Sequence, residues 1–161
     1  MLKKLTPCDD GQFMNINKLI KSVKFFDHFS NEDVLAIAPY VEVRNYSPGH
    51  KVLDHNEVNT SLFFLLDGEV DVFFQQEKVA TINKRGELFG ELSISAHSSS
   101  HAQVKTKSKT QFLVLNFLGV HELEKTRSEH LEKLMYKSFS EVLSERLIET
   151  NKLIKTSKKA A

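Results

Sequence analysis

Short apolar segments separated by glycine-containing turns occupy the middle of this chain, between about residues 41 and 115. The turns fall at Ser47-Pro48-Gly49, Asp67-Gly68 and Arg85-Gly86. Apolar segments of this length, bounded by turn residues, are typical of β-strands. The pattern therefore predicts a rolled antiparallel sheet as the centre of the fold.

Two of these segments, 62–66 and 70–74, are separated only by Asp67-Gly68-Glu69, and they are predicted to pair as neighbouring strands. Alternate residues in them are expected to face the interior of the sheet. These residues are Phe63, Leu65, Val70, Val72 and Phe74. Two further strands are predicted downstream, at 103–105 and 111–115.

The segment 86–94 interrupts the strand pattern with a charged turn framed by two glycines. Gly86 and Gly90 allow positive φ and a close approach of the backbone to a ligand. The amides of residues 90–93 are predicted to point at an anion, and the carboxylate of Glu91 can accept a hydrogen bond from a hydroxyl. The segment thus predicts a small-ligand site. As an alternative, the glycines serve only as strand turns, and Glu91 caps a short helix or pairs with a lysine.

Phe89-Gly90-Glu91-Leu92, followed by Ala102 and Val104, resembles the phosphate-binding cassette of cyclic-nucleotide-binding domains. The resemblance extends over about residues 19–154. It implies a mainly β fold with flanking helices, namely a double-stranded β-helix (a jelly-roll-like β-roll) with N-terminal helices and a long C-terminal helix. It also implies that Glu91 binds the ribose 2′-hydroxyl of the nucleotide.

The chain departs from the family pattern where the cassette has a proline–arginine pair. The proline position falls on Ser99 and the arginine position on Ser100. In the family this arginine pairs with the cyclic phosphate. An ionic hydrogen bond contributes about 1.5–3 kcal/mol, so its absence predicts binding about 10- to 100-fold weaker. His101 could restore part of the interaction when protonated. Alternatively, residues 98–100 form a solvated loop and His101 is an exposed strand residue.

The resemblance implies cAMP or cGMP as the ligand, with no resident cofactor and no metal. The residues that it places at the ligand are Phe89, Gly90, Glu91, Leu92, Ser93, Ser99, Ser100, His101 and Ala102. The predicted function is a stand-alone regulatory domain that binds a cyclic nucleotide or a related phosphate-containing ligand, weakly, and signals through its C-terminal helix to a separate protein effector. The alternative is a degenerate roll that binds no nucleotide and acts as a dimeric protein-interaction module.

Helices are predicted before the roll, after a flexible tail of residues 1–14. Asn15 is expected to cap the first helix. Ser30 is expected to cap the second, with Asp33 in its first turn. The apolar residues predicted to pack inward are Ile16, Leu19, Ile20 and Val23 in the first helix and Val34, Leu35 and Ile37 in the second.

From Phe117 the apolar period becomes helical, and Ser128 is predicted to cap a helix that runs to about Lys155. Its apolar residues, at steps of three and four, are Leu131, Leu134, Met135, Phe139, Val142, Leu143 and Leu147. In the resembled family this helix covers the ligand pocket and pairs two subunits, which predicts a homodimer; the alternative is a helix packed wholly on its own domain.

One domain is predicted over residues 15–155, with the β-roll at about 41–115, the C-terminal helices at about 117–155 and a basic tail at 156–161. The charges nearly cancel, with 22 Lys and Arg against 21 Asp and Glu, so no general polyanion partner is implied. The stretch after the long helix is too short for the helix-turn-helix of transcription regulators with this fold. No nucleic-acid partner is therefore expected.

A single cysteine, Cys8, excludes an internal disulfide. No apolar run approaches the ~20 residues that cross a bilayer, so a cytoplasmic location without a membrane partner is expected. Catalysis is not predicted. No two of the seven histidines stand one residue apart, as a cupin-type metal site requires, and neither a nucleophile elbow nor a Walker loop is present.

Overall fold

The computed structural model describes residues 10–95 and 100–160 of the chain. Its strands are β1 (Val41–Tyr46), β2 (Lys51–Leu53), β3 (Ser61–Asp67), β4 (Val70–Phe74), β5 (Glu77–Ile82), β6 (Leu88–Phe89), β7 (Gln103–Thr106) and β8 (Thr110–Asn116). Its α-helices are α1 (Asp10–Lys21), α2 (Asn31–Ile37), α3 (Glu91–Ser95), α4 (Phe117–His121) and α5 (Lys125–Ala160). Two 3₁₀ turns, Lys24–Phe26 and Ala38–Tyr40, connect the N-terminal elements.

Within these residues the strands form two antiparallel four-stranded sheets, in the orders β1-β8-β3-β6 and β2-β7-β4-β5. This is the predicted β-roll with flanking helices and a long C-terminal helix, so the predicted fold class is confirmed. The predicted pairing of β3 with β4 is wrong. β3 carries β8 on one edge and β6 on the other, so no edge remains for β4, which pairs with β5 and β7 in the opposite sheet.

The strand β3 is buried on both of its faces. Phe63 and Leu65 face the interior of the roll, where the Phe63 ring stacks on Phe89 with centroids 4.9 Å apart. The neighbouring Leu62 and Phe64 lie under the helices and are fully buried as well. The predicted inward-facing positions of Phe63 and Leu65 are therefore correct, and a helical layer covers the outer face of the strand as well.

The predicted inward-facing position of Phe74, at the end of β4, is wrong. Val70 is fully buried and Val72 is half-buried, but Phe74 is 46% exposed. Phe74 stands at the tip of the β4–β5 hairpin, next to Gln75 and Gln76, both of which have positive φ. The ladder between β4 and β7 ends at Phe73, so β7 does not flank Phe74.

The cap of α2 is as predicted. The Ser30 hydroxyl accepts a hydrogen bond from the backbone N–H of Asp33, and the Asp33 carboxylate accepts one from the Ser30 N–H, which forms a capping box. Val34 and Ile37 are buried as expected, but Leu35 is 60% exposed. Leu35 lies one position after Val34, so the helical period turns it toward solvent.

The terminal helices are longer than predicted. α1 begins at Asp10, so residues 10–14 are helical and not part of a loose tail, and Asn15 is inside the helix and not its cap. Residues 1–9 lie outside the described part of the chain. The favourable helix propensity of residues such as Gln12 and Met14 outweighs the cost of one glycine.

At the other end of the chain, α5 spans 36 residues from Lys125 to Ala160. Ser128 is therefore inside the helix, where its hydroxyl donates to Glu132, and it is not the cap. The predicted basic tail is helical through residue 160, because lysine and alanine favour helix. Within residues 10–95 and 100–160, no helix is both long enough and apolar enough to cross a bilayer.

Candidate functional site

A cavity of about 370 Å³ opens between the second sheet, the β6–α3 turn and the distal part of α5. Of the residues that the sequence assigned to the ligand, the structure brings together around it Phe89, Gly90, Glu91, Ser93, Ser100, His101 and Ala102. Leu92 follows Glu91 in α3. Ser99 lies outside the described residues. Most of the cassette residues that the sequence assigned to the ligand therefore line one cavity.

Gly90 holds the first turn of the cassette in a conformation that only glycine adopts easily. Its φ is +97°, and a Cβ there would lie 2.8 Å from the side-chain nitrogen of Asn59. Asn59 in turn donates a 2.7 Å hydrogen bond to the carbonyl of Ser61 at the start of β3. The cassette is therefore fixed against the central strand by backbone and amide contacts.

The turn before β6 is fixed in a similar way. Gly86 has a φ of +86°, and its N–H donates to the carbonyl of Leu65 at 2.7 Å. The carboxylate of Glu87 accepts hydrogen bonds from the backbone N–H groups of Asn83 and Lys84, at 3.2 and 2.9 Å. Glu87 lines the cavity, but these backbone N–H groups partly compensate the charge of its carboxylate.

Glu91 lies at the inner end of the cavity and is only 2% exposed. A carboxylate that is this buried requires a compensating charge or hydrogen bonds. The compensating charge is the guanidinium of Arg146 in α5, whose Nη1 contacts Glu91 and whose Nη2 donates to the carbonyl of Leu88. The alternative expected a lysine partner for Glu91; the cation observed beside it is an arginine from the C-terminal helix.

Ser100 and His101 also line the cavity. Ser100 is 5% exposed, and its hydroxyl donates a 2.7 Å hydrogen bond to the carbonyl of Ala102. Its backbone also bonds to the loop after β2, through the Glu57 carbonyl and the Asn56 N–H. His101 is exposed at the rim. The Ser100 hydroxyl therefore supports the loop in this structure.

The edge of the cavity formed by β2 and β7 is stabilised by a polar cluster. Hydrogen bonds from Lys51, from Gln103 and from the backbone N–H of His55 lower the pKa of Asp54 to about 2. The Gln103 amide reaches Asp54 at 3.0 Å and ties β7 to the end of β2. This contact fixes Leu53, which forms part of the apolar wall.

Two groups of lining residues were missed from the sequence. The first is the apolar and small surface of the second sheet, which comprises Leu53, Val72, Ala80, Thr81, Ile82 and Val104. The second is one face of α5 with spacings of three and four residues, which comprises Arg146, Glu149, Thr150 and Leu153. The helical period could have shown that these four residues share a face, but not that this face meets the cassette.

A cavity between a β-roll and a helix, with the cassette glutamate buried at its end, is the arrangement that the cassette resemblance implied. The model of the cyclic nucleotide-binding domain family matches residues 43–126, just over half of the chain. This chain belongs to the cyclic nucleotide-binding domain family. The resemblance inferred from the cassette is therefore confirmed.

Relatives in this family include large proteins of which the chain matches only a part. The chain is 27% identical over 101 residues to potassium channel AKT1 of Oryza sativa subsp. indica, a match that covers 61% of this chain and 11% of the channel. It is 26% identical over 113 residues to the cAMP-dependent protein kinase regulatory subunit of Mycosarcoma maydis, covering 68% of this chain and 22% of the subunit.

Solved structures show the same fold. A cyclic nucleotide-binding domain from Methylobacillus flagellatus superposes with a TM-score of 0.73 at 22% sequence identity. That match covers 92% of this chain and 85% of the other. The roll and most of the flanking helices thus lie within a fold already seen in this cyclic nucleotide-binding family.

Proposed function

We propose that the chain binds a cyclic nucleotide, cAMP or cGMP, in the cavity between the cassette and α5. The observation that carries the proposal is the buried carboxylate of Glu91 at the end of a 370 Å³ cavity. This group is well placed to accept a hydrogen bond from a ribose hydroxyl. The apolar wall around Leu53 and Val104 suits the face of a base.

The output of binding is transmitted by α5 to a separate protein effector. Arg146, Glu149, Thr150 and Leu153 form one wall of the cavity, so a ligand that fills it contacts the helix directly. A ligand shifts a conformational equilibrium only through differential contacts. Because α5 supplies such contacts, its position depends on occupancy.

The chain forms a homodimer through α5. Leu143, Leu147 and Ile154 are exposed on the helix, at spacings of four and seven residues, and the exposed Tyr136 precedes Leu143 by seven. Apolar side chains with this period bury themselves against a second helix in a coiled coil. The same stripe borders the face that lines the cavity, so pairing and ligand contact use adjacent sides of one helix.

Binding is tested by thermal shift and calorimetry with cAMP, cGMP and cyclic dinucleotides at pH 6 and pH 8. A ligand at a hundredfold excess over its Kd stabilises the folded protein by about 2.7 kcal/mol. Stronger binding at pH 6 would assign part of the phosphate contact to protonated His101. The absence of a shift with every ligand would overturn the proposal and favour the degenerate interaction module.

The site itself is tested with Glu91→Ala, which removes the predicted hydroxyl acceptor. We expect cyclic-nucleotide affinity to fall by about 10- to 100-fold or more. Glu77→Ala is the matched control, because Glu77 is an exposed glutamate of the β4–β5 hairpin outside the cavity. Unchanged affinity in Glu91→Ala would place the ligand elsewhere.

A further inference from the structure

We infer that Arg146 of α5 supplies the cation that the ligand's phosphate meets, in place of an arginine in the cassette. The inference rests on the proposed binding of a cyclic nucleotide in this cavity. It assigns the anion contact to the helix, whereas the hydroxyl contact stays with Glu91 on the roll. The two halves of the ligand site would then belong to different parts of the molecule.

The position of Arg146 supports this assignment. Its guanidinium contacts Glu91 and the Leu88 carbonyl, and its side chain, which is 39% exposed, lines the cavity. A guanidinium has five N–H donors, and these two contacts use one from each terminal nitrogen. Arg146 can therefore hold the carboxylate and present further donors to an anionic oxygen next to it.

The charge of the cavity makes such a cation necessary for an anionic ligand. Among the lining residues that the structure describes, the acidic ones are Glu87, Glu91 and Glu149, and the permanently cationic one is Arg146. Without Arg146, a phosphate would enter a cavity whose described lining holds three carboxylates and no permanent cation. Electrostatic repulsion would then oppose binding.

The cassette itself has no cation at the position where the family has its arginine. The arginine position of the family pattern is Ser100, whose hydroxyl donates to the Ala102 carbonyl inside the loop. Serine is neutral, and its hydroxyl would have to leave this 2.7 Å bond to reach a ligand. Arg146 is 55 residues away from Glu91 in the chain, yet the fold places them in contact.

The test compares cAMP with adenosine, which lacks the phosphate, on the full chain at pH 8. Affinities are measured by calorimetry and by ligand-observed NMR, which registers millimolar binding. Arg146→Gln should weaken cAMP binding by about 10- to 100-fold and leave adenosine binding within about threefold. Arg146→Lys should recover part of the loss, because it retains the charge but not the fork of donors. Arg127→Gln is the matched control, an arginine of α5 that binds the Glu32 carbonyl away from the cavity.

Three results would overturn the assignment. Unchanged or tighter cAMP binding by Arg146→Gln would mean that Arg146 gives the phosphate no net attraction. An equal loss for cAMP and adenosine would mean that it acts only by orienting Glu91. A wild-type protein that binds no cyclic nucleotide would overturn the proposed function and this inference together. The first two results would overturn the role of Arg146 but not the proposal that the wild-type protein binds a cyclic nucleotide.

Discussion

The two halves of α5 are attached to the molecule in different ways. In the docked half, residues 125–142, Leu131 and Met135 are fully buried and Phe139 is 3% exposed. In the distal half, residues 143–160, all five large apolar side chains are exposed, namely Leu143, Leu147, Ile148, Leu153 and Ile154. The first half of α5 thus belongs to the hydrophobic core, whereas the apolar side chains of its second half are exposed.

The polar contacts follow the same division. In the docked half, the buried Ser138 donates a 2.7 Å hydrogen bond to the Phe25 carbonyl, and His130 contacts Asp33 at 3.0 Å. In the distal half, Lys24 contacts Glu145 through an exposed ion pair, and Arg146 contacts the cassette. Exposed ion pairs contribute little stability. The distal half is therefore held through the polar side chains of Glu145 and Arg146, whereas the docked half is packed into the hydrophobic core.

The largest expected effect is on the docked half. Phe139→Ala removes a ring that packs against Phe25 with centroids 5.3 Å apart. We expect the free energy of unfolding to fall by about 3–5 kcal/mol, the usual cost of a phenylalanine-sized deletion from a core. Chemical denaturation with an unchanged m-value measures this loss. A loss below about 1 kcal/mol would mean that this half is attached no more firmly than the distal one.

An intermediate effect should appear as pH dependence. Burial alone would raise the pKa of Asp33, but hydrogen bonds from Ser30 and the interaction with His130 outweigh it and lower the pKa below the ordinary value. A lowered carboxyl pKa contributes stability above the unfolded-state pKa near 3.8, and this contribution is lost as the pH falls through the folded-state pKa.

The measurement is the free energy of unfolding between pH 6 and pH 2. Asp33→Asn should reduce the loss of unfolding free energy as the pH falls. Asp67→Asn, at an exposed aspartate of β3, should leave that loss unchanged. Identical profiles for wild type and Asp33→Asn would show that the contact between α2 and the docked half contributes nothing to folding.

The smallest effect on folding is expected in the distal half. Leu147 is 61% exposed, so Leu147→Ala should change the monomer's free energy of unfolding by no more than about 0.5 kcal/mol. If the exposed stripe pairs two copies, the same change should weaken self-association in analytical ultracentrifugation. Strong destabilisation of the monomer would contradict the division of α5 into a docked half and a distal half.

Local features of this fold could be predicted from the sequence. The positive φ at Gly86 and Gly90, and the capping box at Ser30, depend on residues a few positions apart. The cassette is likewise a continuous segment, so Glu91 could be assigned to it from the neighbouring residues. In these places the residue type and its spacing determine the backbone.

Features that depend on distant packing were missed or wrong. The exposure of Phe74 depends on where the ladder between β4 and β7 ends. The sequence predicts that α5 starts at Ser128, but the helix starts at Lys125, because Lys125 and its neighbours have favourable helix propensity. Arg146 could not be assigned to the site, because its contact with Glu91 depends on the angle at which α5 packs across the roll.

The length of α5 beyond Arg146 has a mechanical consequence. From Arg146 to Ala160 the helix extends by about 21 Å at a rise of 1.5 Å per residue. If Arg146 acts as a pivot, each degree of tilt moves the far end by about 0.4 Å, by the geometry of a rigid rod of that length. The helix would then be a lever, and a displacement too small to open the cavity would be amplified at its tip.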